Sequence, residues 1–214
     1  EKNFLSDVRK ITKQHDVPLI FDEVVTGFRV SEGGAQKTFK IKPDITTLGK
    51  ALGNGFTIAA VGGKKDIMNK LAPEGNVYQA STFAGNPISV TAAINSIKTI
   101  NKMKNKLYSK LERNCELLVD EIDDLATDNK IPHQINSIAS MFQIFFSSKP
   151  VTDYKSSKKS NAKKFQKLFS NLLKNGVFIA PSQFETVFLS DAHTDADIMK
   201  TLGAYGLSLK AVKN

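Results

Sequence analysis

Several residue types are scarce in this sequence, and each scarcity excludes a class of protein. Cys115 is the only cysteine among 214 residues, so the chain by itself can form neither a disulfide framework nor a cysteine metal cluster. The three histidines lack metal-ligand spacing, and we expect no metal site. No apolar run reaches the roughly 18 residues that a membrane span needs, and the first residues lack the pattern of a signal peptide. We therefore expect a cytoplasmic protein without a membrane partner.

Arginine is also scarce, although the formal net charge is +9. Lysine supplies almost all of the positive charge, since the only arginines are Arg9, Arg29 and Arg113. Arginine is the residue that recognises phosphates and base edges through paired hydrogen bonds. A lysine excess without arginine is typical of a solvated surface, so we expect no nucleic-acid partner. A non-catalytic anion-binding module stays the alternative that charge alone suggests.

Hydrophobic periodicity predicts an α/β organisation in the first half of the chain. A helix over residues 4–15 precedes three short apolar strands, and polar or glycine-rich segments follow the strands. A long helical stretch over 103–127 then leads to a part of different character, with further strands and helices and a mobile loop. We predict these later elements at 138–146 (strand), 149–160 (loop), 162–174 (helix), 177–180 (strand) and 194–210 (helix). The sequence therefore predicts two domains, 1–102 and 103–214.

Two charged residues lie at the ends of predicted buried strands. Asp22 ends the strand Leu19-Ile20-Phe21, and Lys50 follows the strand at 44–48. Such residues are seldom buried unless paired, and one explanation is a shared ligand. Pyridoxal phosphate (PLP) needs a lysine amine for its aldehyde and a carboxylate opposite its pyridine nitrogen. By spacing alone, a capping aspartate and a surface lysine stay the simpler interpretation, and we expect neighbouring Glu23 to form a structural ion pair.

The segments around these two residues resemble those of the class III aminotransferases. The matching segments, in the order and at the spacing of that family, are LIFDEVVTGFR (19–29), KPDITTLGK (42–50) and STFAGNP (81–87). The resemblance implies PLP as cofactor and the α/β fold type I of PLP-dependent transferases. This chain would supply the second half of the large-domain sheet and a C-terminal α+β small domain, with the N-terminal half of the enzyme absent.

Other segments resemble the glutamate-1-semialdehyde 2,1-aminomutase branch of that family. They are GFR at 27–29 with GGAQ at 33–36, APEGNVYQA at 72–80, and GVFIAPSQFE at 176–185. The resemblance implies transfer of an amino group from C2 to C1 of a small amino-aldehyde, giving 5-aminolevulinate for tetrapyrrole synthesis. The cofactor would alternate with its pyridoxamine form. The alternative is a class III ω-aminotransferase that uses an external keto acid.

The same resemblance implies a role for five residues. Lys50 would be the Schiff-base lysine and proton carrier, Asp22 the partner of the pyridine nitrogen, and Val24 a contact of the cofactor ring. Thr82 would bind the cofactor phosphate in the site of a neighbouring subunit, which implies a homodimer with shared sites. Glu185 would lie near the substrate. Because the other half of the site would be missing, we expect residues 1–214 alone to be inactive.

Overall fold

The computed structural model describes residues 3–213, apart from the side chains of residues 104 and 213. The described residues form two compact units that divide between Lys106 and Leu107. The elements of the first unit are α1 (Phe4–Gln14), β1 (Ile20–Glu23), α2 (Gly34–Thr38), β2 (Ile45–Leu48), a 3-10 turn (Lys50–Leu52), β3 (Ala60–Gly63) and α3 (Lys65–Met68). The helix α4 (Pro87–Asp128) begins in the first unit and ends in the second.

The sheet of the first unit has the strand order β1-β2-β3. β1 and β2 are parallel, with Asp22 opposite Thr47, whereas β3 is antiparallel to β2. The carboxyl ends of β1 and β2 therefore meet at one edge of the sheet, where Asp22 and Lys50 lie. Within this chain, Ile20 of the predicted buried first strand is 56% exposed. Burial of a parallel strand depends on the layers packed on both faces, which the strand's own sequence does not specify.

Asp44 connects several elements of the first unit through hydrogen bonds and ion pairs. One carboxylate oxygen accepts hydrogen bonds from the Leu19 amide (2.7 Å) and from Arg9 of α1 (2.7 Å). The other lies 2.6 Å from the ammonium of Lys64, which follows β3. The side chain is buried, and the Leu19 amide, Lys64 and Arg9 together hold the pKa of the Asp44 carboxyl well below its usual range. This one carboxylate therefore joins α1, the start of β1, the start of β2 and the end of β3.

We expect Asp44→Asn to destabilise the protein by roughly 2–3 kcal/mol, because it removes the charge that two cations and a buried amide surround. Because the pKa of Asp44 is lower in the folded protein than in the unfolded chain, its carboxylate stabilises the fold fully above the ordinary pKa of about 4. This stabilisation is lost as the pH falls from there towards the pKa of Asp44 in the folded state. The difference between the variant and the native protein should therefore shrink below pH 4. Denaturant unfolding between pH 3 and pH 7 measures it. The exposed Asp16, changed to Asn, is the control and should leave stability nearly unchanged at both ends of the range.

The second unit has an antiparallel sheet in the order β4-β5-β6, formed by β4 (Gln134–Ile138), β5 (Met141–Phe145) and β6 (Val187–Phe188). Three helices complete the unit after α4, namely α5 (Tyr154–Lys158), α6 (Ala162–Lys174) and α7 (Asp195–Lys213). The helices α6 and α7 pack together, and their apolar faces share a core with α4 and β5. Cys115 belongs to this core; it is 1% exposed, and burial raises the pKa of its thiol to about 11.

Helix α6 has the bounds that the sequence predicts. The Asn161 side chain accepts a hydrogen bond from the Lys164 amide at 3.0 Å and begins the helix. Gly176, at φ +78°, follows its last turn. The prediction of a mobile loop over 149–160 was wrong, because Asp153 and Ser156 form a capping box that starts α5. The strand predicted at 177–180 was also wrong; the chain is irregular there, and β6 forms later.

Between residues 3 and 213, no helix is both long and apolar enough to span a bilayer.

Candidate functional site

Asp22 lies at the carboxyl end of β1 with its carboxylate held by two donors. The Thr47 hydroxyl of β2 donates to Asp22 Oδ1 at 3.1 Å, and the Val24 amide donates to the same oxygen at 3.0 Å. The side chain remains exposed, so it can accept further hydrogen bonds. Sequence reasoning missed Thr47, because its contact with Asp22 depends on the register of the two strands. The two donors orient the carboxylate at the edge where the strands end.

Lys50 begins the 3-10 turn that follows β2, and its backbone is left-handed, with φ at +43°. A residue with a Cβ adopts this conformation at a cost of about 1 kcal/mol. The side chain is exposed, and its ammonium forms no hydrogen bond or ion pair within residues 3–213. Its amine is therefore free to react with, or exchange protons with, a ligand.

Val24 lies beside the turn that carries Lys50. Its Cγ1 is 3.4 Å from the position that a Cβ would take on Gly49, the residue before the lysine. Val24 also lines a cavity of about 770 Å³ in the first unit. This volume falls in the range of ordinary ligand sites. The rest of the lining comes from Thr47, Leu48, Ser89 and the segments 56–61, 71–72, 79–81 and 83–86.

The cavity does not include every predicted site residue in its wall. Asp22, Lys50 and Thr82 are not lining residues, although the Asp22 partner Thr47 is one, and Lys50 follows the lining residue Leu48 by two positions. Thr82 lies between the lining residues Ser81 and Phe83, in an exposed turn. The structure thus places Val24 in the wall, whereas the other three residues are connected to lining residues only along the chain or by a hydrogen bond.

The turn that carries Thr82 leads directly into α4. The Asn86 side chain accepts hydrogen bonds from the Ile88 amide (3.1 Å) and the Ser89 amide (3.2 Å), and so it caps the helix. The Thr82 hydroxyl has no partner within the described part of the chain. An exposed hydroxyl can donate a hydrogen bond to an anionic group such as a phosphate.

Glu23 holds the loop that follows β1, a role that the sequence did not predict. It is 1% exposed and accepts hydrogen bonds from the amides of Ala35 (2.6 Å) and Gln36 (2.9 Å) and from the Thr26 hydroxyl (2.8 Å). The predicted ion pair was wrong: along residues 3–213 this carboxylate meets the amides at the start of α2 and no cation. Charge-assisted bonds to helix amides replace the cation. They fix the loop that follows Asp22.

Glu185 belongs to the second unit. Its amide donates to the Ser182 carbonyl at 3.0 Å, which closes a turn just before β6. The carboxylate is exposed and has no hydrogen bond or ion pair in the described part of the chain. A carboxylate on an ordered turn, without a partner of its own, is available to a ligand.

Comparisons with known proteins agree on one family. A sequence model described as aminotransferase class III matches residues 1–203. The chain is 74% identical over 214 residues to the glutamate-1-semialdehyde 2,1-aminomutase of Nitrosopumilus maritimus (strain SCM1), covering 100% of the chain and 50% of that protein. It is 55% identical over 213 residues to glutamate-1-semialdehyde 2,1-aminomutase 1 of Cenarchaeum symbiosum (strain A), covering 100% of the chain and 51% of that protein. The chain thus spans about half the length of these relatives.

A solved structure shows the same fold. The crystal structure of an omega-transaminase from Sphaerobacter thermophilus superposes with a TM-score of 0.87 over 100% of this chain and 49% of that one, at 24% sequence identity. At this identity the likeness concerns the fold alone. It confirms the predicted fold class, the α/β fold type I of such transferases.

Proposed function

The chain belongs to the class III aminotransferase family, and from this we propose that its first unit holds PLP between Lys50 and Asp22. Three observations support the proposal. The Lys50 amine has no partner within residues 3–213, Asp22 has a carboxylate oriented by two donors, and a cavity of about 770 Å³ opens beside both strand ends. A lysine amine and a carboxylate are the two groups that this cofactor requires of a protein.

Each residue would have a separate task towards the cofactor. Lys50 would bond its aldehyde carbon, Asp22 would face its pyridine nitrogen, and Val24 would pack on its ring. When bound, PLP supplies an electron sink for the carbon that bears the substrate nitrogen. The Thr47 hydroxyl and the Val24 amide would keep the Asp22 carboxylate aligned, and the Lys50 amine would take up and return protons at the substrate carbons.

For the whole protein, meaning this chain with any residues that precede it, we propose a glutamate-1-semialdehyde 2,1-aminomutase. The amino group moves from C2 to C1 of the small amino-aldehyde, giving 5-aminolevulinate for tetrapyrrole synthesis, and the cofactor passes through its pyridoxamine form. The observation that carries this proposal is the 74% identity to a relative of that name over the full length of the chain. Glu185 would lie on the substrate side of the site.

The proposal includes the assembly and location of the protein. Thr82, whose hydroxyl has no partner within the described residues, would bind the phosphate in the site of a neighbouring subunit, so that the protein is a homodimer with shared sites. Because part of each site would come from preceding residues, residues 1–214 alone would be inactive. The single cysteine agrees with a cytoplasmic location.

The test is an assay of the whole protein with glutamate-1-semialdehyde and no keto acid. A mutase recovers the amine that it donates, so we expect 5-aminolevulinate to form through many turnovers per active site. Chromatographic detection of the product over time measures this. Adding 2-oxoglutarate or pyruvate should leave the rate unchanged. Turnover that begins only when a keto acid is added would replace the mutase by the ω-aminotransferase.

A further inference from the structure

Gln143 lies in the middle of the most buried strand of the second unit. Every residue of β5 is buried, and Phe142 and Ile144 point into the core shared with the helices. Because side chains alternate along a strand, Gln143 points to the opposite face, where it is 6% exposed. A buried amide is unfavourable unless it is hydrogen-bonded, so its partners indicate why it is there.

The Gln143 amide leads to the segment that carries Glu185. Its Nε2 donates to the carbonyl oxygen of Gln183 at 3.0 Å. The Gln183 side chain, also 6% exposed, donates from Nε2 to the Ser157 carbonyl of α5 at 3.3 Å. Two buried amides therefore connect β5, the segment 181–185 and α5. Within the described residues, Gln143 Oε1 has no hydrogen-bond partner. A buried acceptor without a partner lowers the stability of the fold, so stability alone does not explain a glutamine at this position.

Further contacts hold the same segment at both ends. Gln166 of α6 donates to the Pro181 carbonyl, and the ring centroid of Phe184 lies 6.0 Å from that of Tyr154. The Phe184 amide donates to the Ser182 hydroxyl at 3.2 Å. The backbone is therefore fixed up to Glu185, whereas the Glu185 carboxylate itself has no partner in the described part of the chain. Fixed supports around an unpartnered reactive group are the arrangement of a preorganised functional site.

We propose that Gln143 and Gln183 are positioning residues that hold the Glu185 carboxylate in place for the substrate. The inference rests on the proposed function, since it takes Glu185 to lie on the substrate side. Gln143 acts through the Gln183 carbonyl and does not touch the substrate. Its contribution therefore exists only while the carboxylate at position 185 is present.

A double-mutant cycle in the whole protein tests this dependence. Gln143→Met keeps the length of the side chain but removes the donor to Gln183, and Glu185→Gln removes the charge. We expect each single variant to lower kcat roughly tenfold with little change in KM, because a small displacement weakens interactions made in the transition state. The double variant should be no slower than Glu185→Gln alone, since the two residues act as one unit.

Ile144→Val is the matched control, because it alters the neighbouring side chain of β5 that points into the core. It should lower the thermal unfolding temperature as Gln143→Met does but leave kcat unchanged. The inference is overturned if Gln143→Met keeps its kcat, if its loss is undiminished in the Glu185→Gln background, or if Ile144→Val loses as much activity. It is also overturned if Glu185→Gln is fully active. Failure of the proposed function is a separate result, in which the native protein forms no 5-aminolevulinate.

Discussion

Replacing Lys50 with alanine is expected to lower kcat of the whole protein by more than about a thousandfold, because the amine that bonds the cofactor and moves protons is lost. The fold should remain. Alanine keeps a Cβ on the left-handed backbone at φ +43°, so the strain at this position is unchanged, and the lysine ammonium has no partner to lose within residues 3–213. Borohydride reduction followed by peptide mass spectrometry should find cofactor attached to Lys50 in the native protein and none at this position in the variant.

The control for Lys50 is Lys42→Ala. Lys42 is an exposed lysine that precedes the opposite end of β2, so its removal makes the same change of charge far along the strand. It should retain native turnover and native cofactor attachment. If Lys50→Ala turned over normally, or if the reduced native protein carried cofactor on another lysine, the proposed site would be wrong.

Asp22→Asn is expected to lower kcat by about a hundredfold or more, because the charge opposite the pyridine nitrogen provides the electrostatic part of the chemistry. The substitution is nearly isosteric. The asparagine oxygen can still accept hydrogen bonds from the Thr47 hydroxyl and the Val24 amide, so the strand ends should keep their structure. Cofactor should therefore still be found on Lys50 after borohydride reduction, while turnover is lost. This separation of binding from turnover is the measurement that identifies an electronic role.

Asp66→Asn makes the same chemical change at an acidic residue in the first turn of α3. We expect it to keep native kcat, with at most a small loss of stability from the helix end. A kcat for Asp22→Asn within about threefold of the native value would show that its charge is not used, since the loss of a functional charge of this kind has a far larger effect.

The sequence predicted best those features that depend on neighbours along the chain. Helix α6 was predicted with its observed bounds, and both its stop at Gly176 and the Asn161 cap seen in the structure involve residues close along the chain. The short helices α2 and α5 were missed. Helix α2 is held by Glu23, which lies eleven residues before the start of the helix. Helix α5 begins with a capping box, in a segment whose polar composition predicted a loop. Elements of five residues have too little periodicity to stand out.

The residues of the candidate site also differ in whether they could be predicted from neighbours along the chain. Asp22 and Lys50 were predicted because the segments around them carry a family resemblance, and the parallel pairing of β1 and β2 brings their strand ends to one edge. Thr47 and Gln143 were not predicted, because their roles depend on contacts far along the chain. Thr47 bonds Asp22 on the neighbouring strand, and Gln143 bonds the carbonyl of Gln183 in a distant loop. From the sequence alone, Thr47 looks like an ordinary strand threonine and Gln143 like a polar residue without a role in an apolar run. The roles of Asp22, Val24, Lys50, Thr82 and Glu185 stay predictions until the variants are measured.

The contact between Glu23 and the loop after β1 limits how this region can evolve. Gly34 has φ at +66°, and a Cβ there would overlap a Glu23 carboxylate oxygen. No other residue can occupy position 34 while the carboxylate keeps its bonds to the amides of Ala35 and Gln36. A lineage can therefore change Gly34 only together with Glu23 or after it, and an intermediate that loses Glu23 first leaves the amides of Ala35 and Gln36 without their acceptor. Redesign of the loop beside Asp22 has to start from the pair Glu23 and Gly34, even though neither residue touches a ligand in the proposed chemistry.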